Sequence, residues 1–387
     1  MSSDKENLTW DDVAEGGKLV DYVQQKYIKH LWNRSYIVKK DNRIIKDNNY
    51  KDNRMKLQIL VTQYKEKKDV IKPLLDSIAL QQGIDLNEVG VIIVNDGYPQ
   101  SKLPQKFIDQ YPFKIEYFME KHRGVSGTRN SALDHATAEY VMFCDCDDMF
   151  YSMFGLHVIF LEMEREINGM KGFNSLTTKF YEENYNKETK KTVFIEHKFD
   201  RTFVHGKVHR RSYLVENNIR FNDNLTVHED SYFNVLATTL AEPDDTIRYS
   251  DQACYLWKWR DDSVCRHDPL YMQKTYKNYI DSNQALVDEY LRREKVDNAN
   301  QFICVMMFDT YYLMNTDDWL KQDNQEYRID TEKRFKQYYL TNCERFNNLP
   351  VAYRVQVSNQ VRANNIKKGM QMEKQTFDQW IEYIKGL

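Results

Sequence analysis

Apolar residues along this chain come in short runs separated by amphipathic stretches. LQILVTQY (from Leu57), VGVIIVNDG (from Val89), FKIEYFM (from Phe113) and EYVMFCD (from Glu139) are too short for helices and end in turn-forming or charged residues, which predicts four strands. Between them, DVIKPLLDSIALQQ (from Asp69) carries apolar residues at helical spacing, and GVSGTRNSALDHA (from Gly124) opens a second helix. Strands alternating with helices predict an α/β domain, a mostly parallel central sheet with helices on both faces. Ligands of such sheets bind beyond the carboxyl ends of the strands. Thr62 to Tyr64, Asn95 to Gly97 and Asp145 to Asp148 are therefore expected around one crevice.

The rest of the pattern divides the chain into three. Residues 1–54 hold one helical candidate, LVDYVQQKYIKHLW, followed by a polar linker; 55–269 form the α/β unit. Its second half mixes a helix (GLHVIFLEMERE), β-rich segments such as KTVFIEHKF, and a helix after His228-Glu229-Asp230. Residues 270–387 read as mainly helical, with Tyr- and Leu-rich stripes that are packing surfaces, between helices or between copies of the chain in an oligomer.

With 41% hydrophobic and 29% charged positions in 387 residues, the chain can bury a sizeable core. Its longest apolar runs, such as FICVMMF, fall short of the ~20 residues of a membrane-spanning helix. The polar start MSSDKENLTWDD does not resemble a signal peptide, and the six scattered cysteines form no CxxC pair. A cytoplasmic protein with reduced thiols is expected. A net charge of −3 carries no overall signature of nucleic-acid binding. Lys18 to Lys56 does hold eleven Lys or Arg against four Asp, which fits a solvated face better than a polyanion contact.

Chemistry enters at EYVMFCDCDDMF. In extended backbone residues i and i+2 share a side, so Asp145 and Asp147 converge while Cys144 and Cys146 face away. Two converging carboxylates suit a hard divalent cation, Mn2+ or Mg2+, that also takes phosphate oxygens. Such strand ends also cap helices, and Asp148 before MFYSMF has that alternative. Immediately upstream, HRGVSGTRNSAL supplies glycines for close backbone approach and Arg123 and Arg129 for phosphate charge. Asp230, at the start of a helix, reads either as an N-cap or as a base.

The succession LVTQY, VIIVNDGY, HRGVSGTRNSALDHATAEYVMFCDCDD, VHGKVHRRSYLVENNIRFNDNLTVHEDSYF and YLWKWRDDSVCRH resembles inverting glycosyltransferase family two, with its A-type nucleotide-diphospho-sugar fold. The resemblance covers roughly Met55 to Pro269. It implies that Thr62 and Tyr64 line the base and ribose pocket, that Asp96 accepts a hydrogen bond from the base, and that Arg129 supports base or diphosphate. It further implies Asp145 near ribose and metal, Asp147 as the principal metal ligand, Asp230 as the catalytic base and Glu229 orienting the acceptor. Lys207 matches a basic position of the family, and Arg266 and His267 match its loop near the diphosphate, where His267 can add a metal ligand. The family's frequent Pro in the first strand and Ser after Asp-Gly are replaced by Val61-Thr62-Gln63 and Tyr98.

The implied reaction is metal-dependent, inverting transfer from a UDP-sugar to an acceptor hydroxyl of a glycan or surface polymer. The Asn-, Lys- and Tyr-rich composition also resembles phage enzymes that glycosylate hydroxymethylated DNA bases; for DNA, Lys18–Lys56 or His205–Arg211 would hold phosphates. The latter segment reads equally as a solvated basic surface. A sugar-nucleotide-forming nucleotidyltransferase would need a glycine-rich loop after the first strand, which LVTQYKEKKD lacks. A non-catalytic nucleotide- or glycan-binding module would have no need of both Asp147 and Asp230.

Overall fold

The computed structural model describes residues 55–167, 169–186, 188–241, 246–260, 270–321, 325–367 and 375–387. The helix expected before Trp32 and most of the basic stretch lie outside them; within them, the Lys56 ammonium is held by Glu88 and Glu164.

The strands, in chain order, are β1 (Leu57–Gln63), β2 (Val89–Asn95), β3 (Lys114–Met119), β4 (Tyr140–Asp145), β5 (Met149–Phe150), β6 (Glu166–Ile167), β7 (Met170–Lys171), β8 (Ser175–Asn186), β9 (Lys191–His197), β10 (Lys207–Arg210) and β11 (Ile247–Trp257). One mixed, mostly parallel sheet runs β3-β2-β1-β4-β10-β8-β11-β5, with β9 added to β8; β6 and β7 pair separately. The first four are parallel, β10 runs against both β4 and β8, and β11 lies parallel to β8.

β1 and β2 are continuous apolar runs because both sheet faces are covered. On one face Ile59, Val61, Val91, Ile93 and Met142 join Ile71, Leu74 and Ile78 of α1 (Lys68–Ala79). The opposite face takes α2 (Gly124–His135), which packs on β1 and β2. Next come α3 (Gly155–Glu164), against β11, then α4 (Arg211–Glu216) and α5 (Glu229–Thr239). Phe143 points to the second face, edge-on to Phe221 and Phe233. Alternate residues of one strand thus build two cores.

By contact, the chain divides into two compact units, one running to Asp223 and including Phe233–Arg260, the other made of Asn224–Tyr232 and the residues beyond Arg260. In the second unit α6 (Tyr271–Arg292), α7 (Val296–Met314), α8 (Gln325–Asn348), α9 (Val351–Lys367) and α10 (Phe377–Gly386) pack in pairs, α6 on α7 and α8, and α7 on α9. The Tyr- and Leu-rich stripes supply its core: Tyr276, Leu286, Tyr290, Met307 and Tyr311 are buried. Among the described residues the cysteines are free thiols, and all but Cys343 are buried.

The segment His205–Arg211 is not a solvated basic surface. It forms the turn before β10, β10 itself between β4 and β8, and the first residue of α4, and so His205, Lys207 and His209 are buried. The Lys207 ammonium is tied to the Phe203 carbonyl and Asp200. Arg210 bonds Glu139, Tyr140 Oη and the Phe173 carbonyl, and Arg211 the Ala138 carbonyl. These cations hold the sheet together and are not arrayed for phosphates.

His209 carries a stability consequence. Both its ring nitrogens are buried without a hydrogen-bond partner, and burial, aided by the Lys207 charge, pushes its pKa down to about 3 from 6.5. Between those values the unfolded chain binds a proton that the folded chain refuses. The contribution is therefore complete above pH 6.5 and is lost as pH falls towards about 3, at up to about 1.4 kcal/mol per pH unit. In denaturant melts at about pH 7.5 and about pH 4.5, wild type is expected to lose more stability than His209→Leu; equal losses would contradict the assignment.

Candidate active site

The register of the parallel strands builds the site. Thr62 lies beside Asp145 and Gln63 beside Asn95, so β1, β2 and β4 end at one level. A cleft of about 290 Å³ opens there, lined in part by Thr62, Tyr64, Asp96, His122, Asp145 and Asp147. Its floor is a polar network: Asn95 Nδ2 donates to Ser101 Oγ (2.9 Å) and Tyr117 Oη (3.0 Å), and Gln63 Nε2 to the Ser101 carbonyl (2.9 Å). A floor satisfied in this way fixes the strand ends.

Asp96 receives the start of α2. Its Oδ1 accepts the Arg123 N–H (2.6 Å), and its Oδ2 accepts the Gly124 N–H (3.0 Å) and the His122 ring at 2.8 Å. Gly97 permits this approach, since it has φ +76° and a Cβ there would stand 2.6 Å from the His122 nitrogen. The His122 ring stacks on Tyr64 (4.9 Å, 21°), and Tyr98 meets Tyr64 edge-on at 5.4 Å. Tyr64 remains 37% exposed, an aromatic face at the mouth of the cleft.

The carboxylates are balanced by two arginines. Arg129, buried on α2 over the Phe221 ring, donates to Asp145 Oδ1 at 3.0 Å. Burial pushes the Asp145 carboxyl up, but the Arg129 and His205 charges outweigh it and hold it below the usual range. Asp147 accepts from Arg260 at 2.9 Å, with Glu66 3.8 Å from the same guanidinium nitrogen. Burial and the Asp145 charge nevertheless push Asp147 up.

Asp148 does not cap a helix, because β5 follows it. It is buried, accepts Tyr255 O–H at 2.6 Å and the Lys258 N–H at 2.9 Å, and is pushed well above the ordinary range by burial and the charges of Asp147 and Asp145. Tyr255 Oη in turn accepts the Asp145 N–H at 3.1 Å. Ligand atoms of Asp145, Asp148 and His205 fall within 4.8 Å of one another. Asp145 and Asp147 do not converge across a strand pleat: β4 ends at Asp145, and a turn carries Asp147 into the cleft. The turn brings Cys146 to the lining as well.

Five predicted residues, Thr62, Tyr64, Asp96, Asp145 and Asp147, thus line one cleft, and Arg129 reaches it through Asp145. Lys207 is buried and consumed by Phe203 and Asp200. Glu229 and Asp230 form the first turn of α5, both half-buried, after His228 at φ +64°. Arg266 and His267 lie outside the described residues. Arg260, Glu66, His122 and Tyr255 were not among the expected site residues, and His205, expected at a phosphate or in solvent, is buried beside Asp148. Arg260 stands six residues before the arginine chosen in the same motif, and nothing in the local pattern separates the two.

These features define an A-type glycosyltransferase fold. Residues 58–201 match the model of Glycosyl transferase family 2, and this chain is a glycosyltransferase carrying that domain. Residues 1–349 of S. aureus TarS in complex with UDP-GlcNAc share the fold, with 18% identity and TM-score 0.54 over 81% of this chain and 92% of that one. The corresponding UDP complex gives 18% identity and TM-score 0.52 over 81% and 88%. No curated protein sequence matches the chain. Among the described residues no helix is long and apolar enough to cross a membrane.

Tyr255→Phe removes a single hydroxyl between buried groups. It is expected to lower stability by about 1–3 kcal/mol in urea melts, the cost of leaving the Asp148 carboxyl and the Asp145 N–H without their partner. An unchanged midpoint would show that the hydroxyl does not hold Asp148.

Proposed function

We propose that this enzyme transfers a sugar, with inversion, from a UDP-sugar to an acceptor hydroxyl of a glycan or surface polymer, with a divalent cation, Mn2+ or Mg2+, at Asp147 and Asp145. One observation carries the reading: the carboxyl ends of β1, β2 and β4 meet in a cleft whose lining includes an exposed aromatic face, Tyr64, and the carboxylates Asp145 and Asp147. An aromatic face suits a nucleotide base, and paired carboxylates suit a cation-bound diphosphate. The UDP- and UDP-GlcNAc-bound relatives of the same fold support a uridine donor.

The donor set fits a hard cation. Oxygen ligands from Asp145 and Asp147, with Asp148 and His205 beside them, offer the chemistry such an ion selects. When bound, the cation would stabilise charge on the departing diphosphate. Tyr64 and Thr62 seat base and ribose, and Arg129 keeps Asp145 ionised and oriented. Asp230 takes the proton of the acceptor hydroxyl as its oxygen attacks the anomeric carbon. The bond from that carbon to the diphosphate oxygen breaks, and the electron pair leaves with UDP. Glu229 orients the acceptor.

For a DNA acceptor, His205–Arg211 offers no exposed cations, and most of the other basic stretch, Lys18–Lys56, lies outside the described residues. Two substitutions test the main reading. Asp230→Asn should keep UDP affinity within about twofold while transfer falls by about 10²–10⁴, the usual worth of a general base; normal turnover would remove Asp230 from that role. Asp147→Asn should abolish the dependence of UDP-sugar binding on Mn2+, read by thermal shift, since a ligand specific for the folded state raises its melting point. Unchanged metal dependence would show that this carboxylate is structural.

A further inference from the structure

The two arginines at the end of β4 are held differently. Arg129 is buried on a helix, with its guanidinium against an aromatic ring and on Asp145. Arg260 approaches from the solvent side: its side chain is 29% exposed and that of Asp147, its partner, 30%. The backbone behind Arg260 is anchored, because the Lys258 N–H bonds Asp148 and the Trp259 N–H bonds Glu183 at 3.0 Å. The main chain is therefore fixed while the long side chain can leave Asp147 by rotation about its own bonds.

We propose that Arg260 is a resident counter-ion standing where the divalent cation binds, so that guanidinium and metal hold Asp147 in mutual exclusion. This rests on the reading of Asp147 as a metal ligand. Arg260 donates to Asp147 Oδ2 at 2.9 Å. A metal on that same oxygen would stand within about 5 Å of the guanidinium nitrogen, given ordinary ligand distances of about 2.1 Å. Two cations so close in a partly dehydrated cleft repel strongly. Glu66, 3.8 Å from the same nitrogen, adds a second carboxylate to the resting position. The metal-free cleft is consequently charge-compensated, and a cation arriving alone must first displace Arg260. A donor diphosphate would add the negative charge that lets both cations stay in the cleft on different partners.

The test uses the full chain and Mn2+ alone, followed by the electron paramagnetic resonance signal of the free ion, so that no catalytic activity enters. Arg260→Met, with Arg260→Gln as a second uncharged variant, should bind Mn2+ about tenfold more tightly than wild type, the worth of one charge-assisted hydrogen bond. Arg260→Lys keeps a cation within reach and should stay near wild type. Without metal, Arg260→Met should melt below wild type and recover more of its melting point on adding Mn2+. Mn2+ binding no tighter in either uncharged variant, while Asp147→Asn still weakens it, would overturn the exclusion and leave Asp147 as a ligand. Mn2+ binding that ignores Asp147→Asn in the presence of UDP would instead overturn the metal reading.

Discussion

Negative charge gathered at the end of one strand is the constraint on which the rest of this site depends. Asp145, Asp147 and Asp148 follow a run of buried apolar residues, and each is compensated by a different device. Asp145 has an arginine locked into a helix, Asp147 an arginine at the solvent edge, and Asp148 a tyrosine hydroxyl and a backbone N–H. Removing an arginine leaves a charged carboxylate in a poorly hydrated place, and removing the tyrosine hydroxyl leaves the buried Asp148 carboxyl short of a hydrogen bond; both are costly. The arrangement leaves two of the carboxylates, Asp145 and Asp147, lining the cleft.

The scaffold makes this arrangement possible by leaving nothing at the strand ends to adjust. Two cores clamp β1, β2 and β4; the Asn95, Gln63 and Ser101 network ties the carboxyl ends of β1 and β2, and Arg129 and Tyr255 hold the end of β4 at Asp145. The start of α2 is pinned to Asp96, which fixes Arg129 one and a half turns further along the same helix. Positioning of this kind, by groups already satisfied in the resting protein, is how a cleft reduces reorganisation when the substrate arrives.

Much of this was legible in the amino-acid order. β1, β2 and β4 were readable because strands buried on both faces carry long apolar runs, and β3, a partly exposed edge strand, through its short apolar run; the strand ends could be placed in one crevice by a general rule of parallel sheets. β8 and β11 were not, since β8 is buried only in its first half and β11 is irregular around Ser250 and Ala253, which dilutes both patterns with polar residues. The cluster of carboxylates could be seen, but its route into the cleft could not. Asp147 arrives on a turn, and Asp148 is buried by Tyr255, more than a hundred residues away. The basic look of His205–Arg211 misled because a strand can bury lysine and histidine when carbonyls and carboxylates meet them, and composition does not reveal those partners. Arg260 and His122 act through neighbours distant in sequence, which no local motif records.

The central claim is that a divalent cation is held at the end of β4 between these carboxylates and the diphosphate of a uridine donor. A crystal grown with UDP and Mn2+, and measured for anomalous scattering at the manganese edge, tests it most directly. The account predicts one manganese peak about 2.1 Å from an Asp147 oxygen, shared with the diphosphate, and the uracil ring on the Tyr64 side of the cleft. UDP bound with no manganese at Asp147, or with its base away from Tyr64, would contradict it.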